Sequence, residues 1–172
     1  MKKIAFIEPK APGLNIFSMF HLPRLGCVIL ATIAKQEGWD ASVYVEEMSE
    51  IDFEQVLESD VVGISTITST APRAYEIASL LREKGKTVIM GGPHVSFLSD
   101  EALEHCDYVV RGEGEIPIRQ FLRAMSNGGD CSAVESLSWR KDGAIFNNPS
   151  ISEPVGLDEV PAPDFSLIRS RG

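Results

Sequence analysis

A doubly wound α/β fold with a five-stranded parallel sheet is predicted by three observations. Short apolar runs alternate with stretches of helical periodicity along most of the chain. The central run, Asp60–Thr66 (DVVGIST), is apolar through its middle, as a parallel strand covered on both faces must be. Glycine or proline stands at most of the junctions. Strands linked through helices in this way favour right-handed crossovers, and the simplest sheet order is 2-1-3-4-5.

Each element follows in turn. Lys3–Ile7 is the first strand, and a loop carrying Pro9, Pro12, Gly13 and Pro23 leads to a helix over Leu25–Glu37 that Gly38 ends. Ala41–Glu46 reads as the second strand and Asp52–Glu58 as a short helix with Phe53, Val56 and Leu57 on one side. After the third strand, Thr70 is placed to cap a helix with Pro72 in its first turn. Ala74, Ile77, Ala78 and Leu81 form the buried stripe of that helix, and Gly85 closes it. Strand Thr87–Met90, a short helix near Asp100–His105, strand Tyr108–Val110 and a helix from about Ile116 complete the alternation. That last helix has Pro117 in its first turn and ends at Asn127-Gly128-Gly129.

The expected domain is 1–130. Segment 131–149 reads as a C-terminal β-hairpin, Glu135–Lys141 and Ala144–Asn147 on the turn Asp142-Gly143. Segment 150–172 has several prolines and no helical period, so it is expected to be an extended tail, a linker or docking arm.

Composition narrows the function classes. The chain has 172 residues, 44% of them hydrophobic, enough for a proper core. A net charge of −9 argues against a nucleic-acid or anionic-membrane partner. The longest apolar stretch, Leu25–Ala34, is about half the roughly 20 residues of a spanning helix, and Met1–Lys10 lacks the apolar core of a signal peptide. Cys27, Cys106 and Cys131 are too scattered for a zinc or iron–sulfur site, and the expectation is reduced, buried thiols in a cytoplasmic protein.

In such a sheet all strand C-termini meet at one edge, and ligands sit there. Four loops at that edge are unusual. They are the long Glu8–Arg24 segment with Leu22 and Pro23; the hydroxyl-rich Ser65-Thr66-Ile67-Thr68-Ser69-Thr70; Gly91-Gly92-Pro93-His94-Val95-Ser96; and Arg111-Gly112-Glu113-Gly114-Glu115. Each alone has a plain structural explanation as a cap or a tight turn. Their convergence on one edge favours a common ligand. The first loop lacks G-x-G-x-x-G and offers Glu8-Pro9-Lys10, which disfavours a dinucleotide or flavin mononucleotide. Ser65 ends the third strand where a phosphoacceptor receiver domain would need Asp.

The block GGPHVSFLSDEALEHCDYVVRGEGE, Gly91 to Glu115, resembles the signature of the N-terminal cobalamin (B12)-binding domain of class B radical S-adenosylmethionine (SAM) proteins. LPRLGCVILATIAKQEG, DVVGIST and VPAPDFSLI are similar to flanking segments of that family. The resemblance implies a flavodoxin-like sheet carrying the corrin flat on its C-terminal edge, with the dimethylbenzimidazole tail swung off the cobalt (base-off) and inserted beside strands 3 and 4. Gly63, Ser65, Gly91 and Gly92 would leave room for the planar base. Ser65, Thr66, Thr68 and Ser96 would hydrogen-bond the tail, and Leu22 and Pro23 would border the corrin. Ile67, Pro93, His94, Val95, Gly112, Glu113 and Gly114 complete the implied cofactor-binding set.

Two departures matter. Cobalamin domains of the methionine-synthase type carry D-x-H-x-x-G after strand 1, with the histidine on cobalt. Here that spacing reads Glu8-Pro9-Lys10-Ala11-Pro12-Gly13, and a protonated lysine has no lone pair to offer. No histidine is therefore expected below the cobalt, His21 being the one loop histidine able to contradict this. The cysteine triplet for a 4Fe-4S cluster is also absent from this chain. The cluster and S-adenosylmethionine would belong to a downstream radical SAM domain, and no complete active site is expected here. A stand-alone sensory or interaction domain that lost the corrin, and a small-molecule enzyme on the same sheet, are the alternatives. One further expectation is that Gly92→Val abolishes cobalamin uptake with little loss of fold.

Overall fold

The computed structural model describes residues 1–13, 22–151, 153 and 155–170. The strands are β1 (Lys3–Glu8), β2 (Asp40–Val45), β3 (Val61–Ser65), β4 (Thr87–Gly91), β5 (Tyr108–Val110), β6 (Leu137–Lys141), β7 (Ala144–Asn147) and β8 (Ile168–Arg169). The α-helices are α1 (Leu25–Gln36), α2 (Phe53–Val56), α3 (Ala71–Glu83), α4 (Pro93–Phe97), α5 (Ser99–Ala102) and α6 (Glu115–Ser126).

The eight strands among the described residues form one sheet in the order β7-β6-β5-β4-β3-β1-β2-β8. The expectation of an α/β fold with a mostly parallel sheet stands, whereas five strands is too few. The hairpin extends the sheet: β6 pairs antiparallel with β5, Tyr108 opposite Trp139, and β7 pairs with β6. The tail contributes β8, parallel to β2 with Val43 opposite Ile168. Asp164 fastens the tail to α1, accepting from Lys35 Nζ at 2.9 Å while its own N–H donates to Thr32 Oγ1 at 2.9 Å.

Two smaller readings also change. The segment after β4 is helical from Pro93 to Phe97, because a proline at the first helical position costs no hydrogen bond and its fixed φ suits the turn. Thr70 does not cap α3. Its hydroxyl turns back to accept from Ile67 N–H and donate to Ile67 C=O, both at 3.2 Å, closing the 3-10 turn Thr68–Thr70 instead.

The sheet has a core on each face. On one, Ile4, Phe6, Val61, Ile89 and Val110 meet α1 and α6. On the other, Ala5, Ile7, Val62, Ile64, Val88 and Met90 meet α2, α3, α4 and α5. The alternation along β1, β3 and β4 sends successive side chains to opposite cores. Glu37 at the end of α1 binds two α6 guanidinium groups, Arg119 Nη1 at 2.7 Å and Arg123 Nε at 2.6 Å, and so fixes the spacing of the two helices.

Candidate functional site: a cavity at the C-terminal edge of the sheet

A cavity of about 440 Å3 lies between the C-terminal ends of β3, β4 and β5 and the helices α1 and α6. It falls within the roughly 300–1,000 Å3 of small-molecule sites. The sheet contributes Gly63 and Ser65 from β3, Ile89 and Gly91 from β4, and Val110 from β5; Phe6 reaches in from β1. Leu30 and Cys27 come from α1 and Ile118 from α6. Gly92, Pro93, Ser96 and Phe97 form one side of the mouth, and Gly112, Glu113, Gly114 and Glu115 the other.

Strand periodicity explains why these residues share a wall. Gly63, Ser65, Ile89 and Gly91 occupy alternate positions that all face α1 and α6, and Ser65 and Gly91 are register partners. The two small residues side by side leave the gap. A Cβ added at Gly91 would meet only Val110, at 3.9 Å, so the space beside it is open.

Gly63, in the middle of β3, and Gly92, just after β4, also line the cavity and have local reasons to be small. A Cβ at Gly63 would come within 2.7 Å of the Phe6 ring, so Gly63 makes room for Phe6. Gly92 has φ 107°, and a Cβ there would stand 2.4 Å from the Thr66 carbonyl oxygen. The expectation that Gly92→Val would spare the fold is therefore corrected: backbone geometry requires this glycine.

Ser96 ties the mouth together. Its hydroxyl donates to Gly92 C=O at 2.8 Å and accepts from Gly112 N–H at 3.0 Å, joining the loops after β4 and β5. Several residues singled out in the sequence lie beside the cavity without lining it. Thr66 is fully buried with Oγ1 unpartnered, and Ile67 precedes the 3-10 turn that Thr68 begins. Val95 packs in the opposite core. His94 also turns to that face, with Nδ1 3.3 Å from Thr68 Oγ1 and Nε2 3.7 Å from Glu101. Leu22 is exposed and Pro23 half-buried in the approach to α1. His21 lies outside the described residues.

Phe6, Cys27, Leu30, Ile89, Val110 and Ile118 were missed by sequence reasoning because each also reads as ordinary core. The period-2 alternation through Gly63 and Ser65 was the available clue to the face. Cys27 is inert: burial, and after it the Glu8 carboxylate, push its thiol up to about 12. Glu8 is itself buried and held by Arg24, whose Nε lies 3.0 Å from Oε1 and whose N–H donates to Oε2 at 2.9 Å. A larger cleft, about 760 Å3, opens at the opposite edge; it is open and polar, and Arg82 and Asp107 on its wall pair with each other at 3.0 Å.

Fold and cavity together define an α/β module with a candidate small-molecule site at the C-terminal edge of the sheet. The B12 binding domain family model matches residues 18–122, more than half of the chain, and the chain belongs to that family. An uncharacterized methyltransferase of Pyrococcus horikoshii is 31% identical over 157 residues, covering 85% of this chain and 34% of that protein. The bacteriochlorophyllide d C-12(1)-methyltransferase of Chlorobaculum tepidum is 31% identical over 115 residues, covering 66% of this chain and 25% of that protein. Among solved structures, the cobalamin-dependent S-adenosylmethionine radical enzyme OxsB with aqua-cobalamin and S-adenosylmethionine bound matches 95% of this chain and 24% of its own, with TM-score 0.74 and 17% identity. The radical S-adenosylmethionine methyltransferase TsrM from Kitasatospora setae, with cobalamin and its 4Fe-4S cluster bound, matches 94% and 31%, with TM-score 0.68 and 17% identity. The chain thus spans about a third or less of these relatives. No helix among the described residues is long and apolar enough to cross a membrane, and none of their His, Cys, Asp and Glu side chains cluster as a metal site.

Proposed function

We propose that this chain is the cobalamin-binding module of a radical SAM enzyme, holding B12 base-off with the dimethylbenzimidazole in the cavity between β3, β4, α1 and α6. The observation that carries the reading is the open space beside Gly91, walled by Ile89, Val110, Leu30 and Ile118 in a chain of the B12 binding domain family. Bound cobalamin supplies a cobalt that carries a methyl group or assists radical steps in the full-length enzyme. The protein's own part is to bind and orient it. The apolar walls take the planar base out of water, and the Ser96 bridge holds the two rims that flank the tail. Leu22, Pro23 and exposed Phe97 offer apolar surface beside the corrin.

Lys10 at the position of the cobalt-ligating histidine in the D-x-H-x-x-G spacing, with no lone pair to offer when protonated, supports a cobalt without a histidine lower ligand. Residues 1–130 would form the binding domain, 131–149 the hairpin and 150–172 an arm toward a radical SAM domain that holds S-adenosylmethionine and the 4Fe-4S cluster. Because β8 runs parallel to β2, its C-terminal end points to the edge where the cavity opens, so a domain following it would be delivered over the corrin. Buried free thiols and the −9 charge suit a cytoplasmic protein without nucleic-acid or membrane partners. The test is incubation with hydroxocobalamin followed by desalting. Retained colour with a base-off spectrum is expected; a colourless protein would favour a domain that kept the fold and lost the corrin.

A further inference from the structure

Resting on that reading, we infer that the cavity selects among corrinoids by their lower base, accepting benzimidazole-type bases and discriminating against purine-type ones. Nearly all the hydrogen-bonding groups on the wall are already committed within the protein. Gly91 C=O accepts from Thr66 N–H at 2.8 Å, and Gly114 C=O accepts from Ile118 N–H at 2.9 Å. Gly92 C=O accepts from both the N–H and the hydroxyl of Ser96, at 3.1 and 2.8 Å. Gly112 N–H donates to Ser96 Oγ at 3.0 Å, so that hydroxyl is committed on both sides. The Cys27 thiol is buried against Ile7 C=O, 4.0 Å away. Glu113 and Glu115 stand at the mouth, where their carboxylates only accept. Ser65, whose hydroxyl also lies within hydrogen-bonding reach of the Cys27 side chain, is left as the inner-wall hydroxyl able to turn and donate one hydrogen bond into the cavity, and the rest of the inner wall is Phe6, Leu30, Ile89, Val110 and Ile118.

A nucleotide-tail base carries its ribose on the five-membered ring, so its six-membered ring leads into the cavity. In a benzimidazole that ring is all carbon, and the base has one free acceptor nitrogen, matching the one hydroxyl of Ser65. A purine places two nitrogens on the leading ring, and adenine adds an exocyclic amine. Against the inner wall those groups lose water and find no partner, because the unpaired N–H groups at the start of α6, at Glu113, Gly114 and Glu115, stand at the mouth. Leaving even one unsatisfied weakens binding by about tenfold or more.

The test compares hydroxocobalamin with its adenine-based analogue by equilibrium dialysis, using tailless cobinamide as the reference. The corrin is common to all three, so differences report the tail. The expected result is cobalamin bound about tenfold or more tightly than the adenine analogue, with the latter no tighter than cobinamide. Equal binding of the two complete corrinoids overturns the inference while leaving the B12 assignment intact. Failure of all three to bind overturns both. Leu30→Gln, on the half-buried wall of α1, places a donor and an acceptor in the cavity and should narrow the ratio by about threefold or more. An unchanged ratio in that variant would put selectivity outside the cavity and contradict the inference.

Discussion

A Cβ on Gly92 would lie 2.4 Å from the Thr66 carbonyl oxygen, and Thr66 N–H donates to Gly91 C=O at 2.8 Å. The ends of β3 and β4 are thus locked at a contact only glycine permits. Gly92→Val should cost about 3 kcal/mol or more of folding free energy, combining a forbidden φ with a backbone collision. Urea denaturation measures it, and wild-type stability would contradict the geometry.

Gly91 gives the opposite result. Its position in a strand tolerates a β-branched residue, and the added atoms enter open space. Gly91→Val should change stability by less than about 1 kcal/mol while reducing hydroxocobalamin retention by about tenfold or more. Normal retention by a folded Gly91→Val protein would move the base out of this cavity.

Ser96→Ala removes the hydroxyl that bridges Gly92 and Gly112, leaving Gly112 N–H without its acceptor. A loss of about 1–2 kcal/mol in stability is expected, with weaker cobalamin retention as the rims separate. Thermal melts with and without hydroxocobalamin separate the two effects. A variant identical to wild type in both would remove Ser96 from the account.

Glu37 predicts a pH dependence. The Arg123 hydrogen bond, with Arg119 beside it, holds the carboxyl below its ordinary range. A depressed folded value means the stabilisation is complete above the unfolded Glu value and lost as pH falls through the folded one. The wild-type melting temperature should therefore fall in acid more steeply than that of Glu37→Gln, which lacks the ionisable partner. Parallel acid limbs would show that the α1–α6 clamp contributes nothing.

Much of this was legible in the sequence where local pattern and tertiary environment agree. Val61–Ser65 and Thr87–Gly91 are central strands, and their apolar runs say so. Ile168–Arg169 is a strand only because the edge of β2 is free to receive it, which no propensity encodes. Pro93 was ambiguous by nature, since it suits both a turn and the first turn of a helix. The glycine and serine side of the cavity stood out as breakers of strand pattern. The α1 and α6 wall did not, because Leu30 and Ile118 on an amphipathic helix look the same whether they face a neighbour or a ligand. Gly92 stood out as a cavity residue, but its backbone role did not, because a positive φ is a property of the folded chain.

The most direct test of the central claim is the electron paramagnetic resonance spectrum of the protein loaded with cobalamin and reduced to Co(II). With the base in the cavity and no histidine on the cobalt, cobalt hyperfine lines without axial nitrogen splitting are expected. A triplet splitting from one axial nitrogen would mean that the base, or a histidine, had stayed on the metal, and would contradict the proposed pose.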